Sequence, residues 1–258
     1  MIDIEQLSSF YPDNLKPFKK NILREYLQYK ILEIIYDSKY LDKLVFMGGT
    51  AIRIIHSNNR FSEDLDFDNL GISKDSFMEL MELIKKKLEL EGYKLEIKIT
   101  SRGAFKCHFK FLEILSQTGI TGHKDARLIV QLDTEPQNYK YSPEKVLINK
   151  FEIFTRILSV PQDLLLSQKI CAVFTRKRPM GRDFFDIVFL YGKTKPDMKY
   201  LNEKLNIKDF TDLKRKLLNK CRGIDFKQLS KDVAPFIFQP GDSKRLLFFK
   251  DYIKTKLD

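Results

Sequence analysis

Gly48 to Asp68 reads GGTAIRIIHSNNRFSEDLDFD, a glycine pair followed by an acidic, alternating segment. Leu44-Val45-Phe46-Met47, just before it, is an apolar run of strand length, stopped by the glycine pair. Thr50 to His56 has the pattern of a short helix. Asp64-Leu65-Asp66-Phe67-Asp68 then alternates charged and apolar residues, the period of a strand with one polar face. Strand, glycine turn, helix and strand follow one another within 25 residues. Glycines between a strand and a helix let backbone approach a ligand closely, and the amides that open the helix attract an anion. No Gly-Lys-Ser/Thr follows, so this cradle of Gly48, Gly49 and Thr50 is not a Walker motif.

Asp64 and Asp66, two apart on one strand, share a face at about 7 Å backbone separation, while Leu65 and Phe67 point the other way. Two like charges side by side persist best with a cation between them. Hard oxygen ligands suit Mg²⁺, which takes further ligands from water and substrate phosphate. Two such ions about 4 Å apart would stabilise both the attacking and leaving oxygens of a phosphoryl displacement. An Asp-x-Asp pair is common on exposed strands; its position 15 residues after the glycine pair gives it weight.

Outward from this centre, the periodicity predicts a largely buried helix over 18–37 and a helix over 73–91 capped by Ser73. Strands are expected over 93–100, 104–112, 127–133 and around 145–158. Beyond Pro161 the pattern turns helical, with segments at 162–175, 182–191, 197–205, 209–221 and 242–256. The expected class is therefore α+β: a mixed sheet with helices in residues 1–160, then a mostly helical region over 161–258.

The 258 residues carry a net charge of +11, unevenly spread. Residues 1–150 hold 23 basic and 22 acidic side chains, whereas residues 151–258 hold 23 and 13. An anionic partner for the second part is one reading; a lysine-rich surface without a partner is the other. Hydrophobic residues make up 43% and charged residues 31%, which excludes collagen-like, low-complexity and wholly disordered chains. Three scattered cysteines form no CxxC pair and argue against a disulfide framework or structural zinc. No apolar run approaches the roughly 20 residues of a membrane helix, and MIDIEQLSSF lacks a signal's basic start, so a cytoplasmic protein is expected. His56, His108 and His123 show no ligand spacing, and Lys85-Lys86-Lys87 reads as a solvated helix face.

With Gly48-Gly49-Thr50-Ala51 followed by Arg60-Phe61-Ser62-Glu63-Asp64-Leu65-Asp66-Phe67, the chain resembles the DNA polymerase β-like nucleotidyltransferase superfamily. Within it, GGTA and SEDLDF resemble the AbiEii/AbiGii-type toxins of type IV toxin–antitoxin systems. A second block matches the same family: Asp163 to Ala172 (DLLLSQKICA), containing Lys169, then Gly181-Arg182-Asp183-Phe184-Phe185-Asp186-Ile187. The resemblance implies a nucleotidyltransferase-like sheet core and an active site completed by a helical lysine and the Arg-Asp-x-x-Asp helix. On charge alone, Lys169 on an apolar helix face must meet an anion, and a point charge suits nucleotide β- and γ-phosphates. Asp183 and Asp186, at i and i+3, share a side of their helix. One could pair with Arg182 or Lys169, and one could help activate the acceptor hydroxyl or position a base-binding group; the sequence does not separate them.

Further site residues follow from the resemblance. Asp133 sits where many nucleotidyltransferases place a third carboxylate, as metal ligand or base, with Glu135 the alternative. Ser62 and Arg60 could reach phosphate, or cap a turn and carry an ordinary charge. The cluster Arg176-Lys177-Arg178 and Arg182 could guide a polyanion, and helices without an aromatic platform suit a folded RNA. The resemblance implies transfer of NMP from an NTP, with Mg²⁺, to an RNA acceptor such as tRNA. It also implies arrest of translation and growth, and neutralisation by a cognate antitoxin. The alternatives are a same-fold transferase acting on a small molecule or protein, and a nucleotide- or RNA-binding module without chemistry.

Overall fold

The computed structural model describes residues 3–256. The elements run α1 (Ile4–Ser8), α2 (Lys19–Tyr36), β1 (Leu44–Met47), α3 (Gly48–His56), β2 (Asp64–Asn69) and α4 (Lys74–Leu90). Then come β3 (Leu95–Arg102), β4 (Ala104–Phe111), α5 (Ile114–Gln117), β5 (Leu128–Glu135), β6 (Glu144–Lys150) and β7 (Ile153–Ser159). The helices α6 (Gln162–Thr175), α7 (Gly181–Tyr191), α8 (Met198–Leu205), α9 (Phe210–Lys220), α10 (Phe226–Val233), α11 (Lys244–Leu247) and α12 (Phe249–Lys256) complete the series. The chain divides into two compact units: one is everything up to Ile55 together with Phe61–Ser159, the other His56–Arg60 and everything from Val160 onward.

The first unit is built on a seven-stranded mixed sheet, ordered β3-β4-β5-β2-β1-β7-β6. β1 pairs antiparallel with β2 and parallel with β7, and β2 pairs parallel with β5. The flanking pairs β3/β4, β4/β5 and β6/β7 are antiparallel. The period-2 alternation decides the faces. Leu65, Phe67, Cys107, Phe109, Phe111, Val130 and Leu132 are buried on one face. That face is covered by α2, which packs on β5 and β7, and by α4, which packs on β3 and β4. The opposite side of β2, β5 and β4 presents Asp64, Asp66, Gln131, Asp133, Lys106 and His108, all partly exposed.

The second unit is helical. α7 packs against α6, α10, α11 and α12, around Phe184, Phe226 and Phe249, whose ring centroids lie 4.9–5.8 Å apart. Gly181, the first residue of α7, is forced by packing: a Cβ there would lie 2.4 Å from the Leu229 carbonyl oxygen of α10. Residues 56–60 join this unit through an Arg60–Ile237 bridge and a hydrogen bond from Phe238 N to Asn59 O of 3.0 Å. Short α1 and α5 were not expected, α3 starts at Gly48 and not at Thr50, and in the helical unit two further details depart from the sequence reading. The helix α10 was not expected, although Asp225 caps it through Lys227 N and Gln228 N and its Phe226, Leu229 and Val233 follow a helical period. The segment 242–256, expected as one helix, is split into a 3₁₀ turn from Pro240, α11 and α12, with Phe248 exposed at the break. No helix among the described residues is long and apolar enough to cross a membrane.

Candidate active site

β1 and β2 bring the glycine turn and the acidic strand together. Met47 is in register with Asp66, so the next residue, Gly48, turns directly over the Asp66 side chain. Gly48 has φ of +79°, in the left-handed region, and a Cβ placed on it would lie 2.2 Å from Asp66 Oδ2. The first glycine thus serves geometry and space at once: only there can the chain turn and leave room for that carboxylate. Thr50 is fully buried, and its hydroxyl donates to the Asp64 backbone carbonyl, which ties α3 to the start of β2. From the other side Gln28 Nε2 on α2 donates to the Ser62 and Glu63 carbonyls at 3.1 and 2.9 Å. Arg24 adds an ion pair to Glu63 at 2.8 Å. The approach to β2 is therefore held by Arg24 and Gln28, two of the four polar residues that α2 buries among its apolar ones. That oddity was the available signal for residues the motif reading missed.

The three aspartates of DLDFD do different things. Asp68 is buried and accepts from Gln137 N (2.8 Å) and the Tyr141 hydroxyl (2.7 Å), so it anchors the chain beyond β5. Asp64 and Asp66 lie on the opposite face from Leu65 and Phe67 and are partly exposed. In the next strand Asp133 pairs in register with Asp66, and Lys106 on β4 pairs in register with Asp133. Lys106 Nζ donates to Asp133 Oδ2 at 2.9 Å, and Gln131 Nε2 donates to both Asp133 oxygens at 3.0 and 2.9 Å. The Lys106 pKa is raised, chiefly by that hydrogen bond to Asp133, with the Asp66 charge adding to it. The expectation of Asp133 as a third metal ligand thus meets a carboxylate already occupied by in-chain donors. Among the described residues no group of three or more His, Cys, Asp and Glu side chains is arranged to hold a metal ion. Asp64 and Asp66, two hard carboxylates beside a turn that only glycine permits, are the donors that fit a divalent cation.

The second motif block forms its own cluster within the helical unit. Lys169 on α6 is buried and lies 3.3 Å from Asp183 Oδ1 and 3.0 Å from Asp186 Oδ2, so the anions it meets are these two carboxylates. Asp186 is fully buried and takes Arg60 Nε at 2.7 Å and Arg60 Nη2 at 2.6 Å, and Asn58 Nδ2 at 2.7 Å. Burial pushes its pKa up, but Arg60 and then Lys169 outweigh burial and hold it below the usual carboxylate range. The guanidinium of Arg60, read from sequence as a phosphate contact, is buried against Asp186. Asp183 differs. Arg176 Nε approaches its Oδ2 at 2.9 Å without hydrogen-bond geometry, so that buried oxygen has a compensating charge but no donor. Asp186 is the anchor of the cluster and Asp183 its incompletely satisfied member. Arg182 is partly exposed and makes no ion pair among the described residues. Ser62 is placed by its backbone carbonyl at the entry to β2.

Residues 30–246 match the family described as nucleotidyl transferase AbiEii toxin, type IV TA system. The chain belongs to the AbiEii family. Its members are nucleotidyltransferase toxins of type IV toxin–antitoxin systems, so the chain is read as a toxin of that class and an enzyme of the nucleotidyl transferase type. The match takes in both motif blocks, from before the glycine turn to beyond α10. Two solved structures share the fold. One is a Helicobacter pylori protein described as a nucleotidyltransferase, with a TM-score of 0.57 and 21% identity over 92% of this chain and 95% of that one. The other is JHP933 from Helicobacter pylori, with a TM-score of 0.53 and 20% identity over 92% and 93%. At that identity the likeness speaks for the nucleotidyltransferase-like α+β architecture of this AbiEii member. No curated protein matches the sequence.

Proposed function

We propose that this AbiEii toxin transfers NMP from an NTP to an RNA acceptor, tRNA being the class it fits best, and so arrests translation and growth. The observation that carries the reading is Asp66 held under Gly48, beside Asp64 on the partly exposed face of β2. Asp64 and Asp66 would hold Mg²⁺; the ion supplies electrostatic stabilisation of phosphoryl oxygens and lowers the pKa of an attacking hydroxyl. Gly48, Gly49 and the backbone that opens α3 offer amide donors to a triphosphate. Thr50 supports this indirectly, since its hydroxyl is committed to Asp64.

The family resemblance assigns Lys169 and the Arg-Asp-x-x-Asp helix to the same reaction. Within their cluster Asp186 holds Arg60 and Lys169 in place, while Asp183 and Arg182, which makes no ion pair among the described residues, are the groups with capacity left for a substrate. RNA as acceptor is supported by the basic excess of residues 151–258, where 23 cationic side chains face 13 acidic ones. A cognate antitoxin is the partner that type IV membership implies.

Incubation with each α-labelled NTP, Mg²⁺ and total cellular RNA tests this reading. The expected result is label in a discrete tRNA-sized band. Label appearing on protein or on a small molecule instead would replace RNA as the acceptor and leave the transfer reaction standing.

A further inference from the structure

Lys106 belongs to no motif, yet it stands in the row that carries the proposed cation ligands. Strand register runs Asp66 on β2, Asp133 on β5, Lys106 on β4. The Asp133 carboxylate accepts from Lys106 Nζ at 2.9 Å and from Gln131 Nε2 through both oxygens. Gln131 is itself oriented by His108 Nε2, 2.8 Å from its Oε1, which turns its NH₂ toward Asp133. An ionised carboxylate has about four acceptor positions, and three of them here are taken by in-chain donors. A divalent ion shared by Asp66 and Asp133 would have to expel an ammonium of like charge from hydrogen-bonding distance.

We propose that Lys106 is a positioning residue that stands in for one cation: by holding Asp133 in an ion pair, it limits the Asp64–Asp66 site to a single divalent ion. The inference rests on the reading of Asp64 and Asp66 as the cation-binding pair. It replaces the expectation of two ions with one ion and one fixed ammonium. Lys106 is 44% exposed in its side chain, so removing it leaves no buried cavity.

The test counts bound Mn²⁺ by electron paramagnetic resonance, without nucleotide, in wild-type protein and in Lys106→Met, Lys106→Gln, Asp133→Asn and Lys106→Met/Asp133→Asn variants. Each is first checked by circular dichroism. The expected stoichiometry is one ion in wild type, two in each single Lys106 variant, and one again in the double variant. Asp133→Asn with Lys106 intact should keep the single ion. One ion in both single Lys106 variants, or loss of the ion in Asp133→Asn, overturns the proposal and leaves the Asp64–Asp66 reading in place. A wild-type protein that binds no Mn²⁺, or binds it undiminished after Asp66→Asn, overturns that reading and this inference with it.

Discussion

Gly48 illustrates how much one residue fixes. Replacing it with alanine strains a left-handed backbone and drives a methyl into Asp66 Oδ2, so the carboxylate must move. A displacement of about 1 Å at a catalytic group costs on the order of 100-fold in rate, and that is the loss expected for Gly48→Ala in NTP turnover, with circular dichroism largely unchanged. The carboxylates of α7 separate in the same way. Asp186→Asn leaves Arg60 and Lys169 buried without their shared counter-charge, and should cost about 3–5 kcal/mol in urea unfolding. Asp183→Asn, at a side chain with an oxygen lacking a donor, should lose activity while costing less stability. Equal stability losses would remove that distinction. The motif residues themselves were legible in the sequence, because glycine spacing and acidic alternation are local signals. Their partners were not: Lys106, Arg60 and Asn58 are set by strand register and by contacts across long stretches of chain.

Among the elements, strands and helices with strong period were read correctly, the capped α4, α8 and α9 included, whereas α1, α5 and α10 were not. β1, β2 and β5 follow from alternation and apolar runs, whereas α10 shows its period in only three apolar residues, Phe226, Leu229 and Val233. What locks elements together in the first unit is a buried ion cluster that no local pattern announces. Glu25 on α2 accepts from Arg53 Nε of α3 (2.8 Å), from Lys150 Nζ of β6 (2.8 Å) and from the Tyr11 hydroxyl (2.8 Å). Burial pushes the Glu25 pKa up, but Arg53 and then Lys150 outweigh it and bring the value down to about 2. Its folded value lies below the ordinary 4.5, so its contribution is fully present above that pH and lost as pH falls toward 2. Lys150 is itself lowered by burial, which takes back part of the gain at neutral pH. Thermal midpoints measured between pH 5 and 2 should fall steeply in wild type and more gently in Glu25→Gln, which starts from a lower midpoint. Parallel curves would show that this cluster does not carry the acid sensitivity.

For the molecule as a whole, charge is the property on which the proposed RNA acceptor rests. The net charge of +11 arises almost entirely after residue 150, in the region of α6 to α12. A protein that neutralises about six phosphates loses roughly 1,000-fold in affinity between 50 and 200 mM salt. Filter binding of bulk tRNA should show such a slope, and affinity that barely changes with salt would argue for a small-molecule or protein acceptor. The α+β class and the helical second part were visible from periodicity and from Pro161 onward. The transfer of residues 56–60 to the second unit was not, since it depends on Arg60 meeting Asp186 and Ile237. The proposed reaction requires Asp66 as a ligand of the reacting centre. Pyrophosphate release from the preferred NTP, compared between wild type and Asp66→Asn at equal folded concentration, tests it most directly. Loss of several kcal/mol of charge stabilisation predicts a fall of about 1,000-fold or more. Release at the wild-type rate would contradict it.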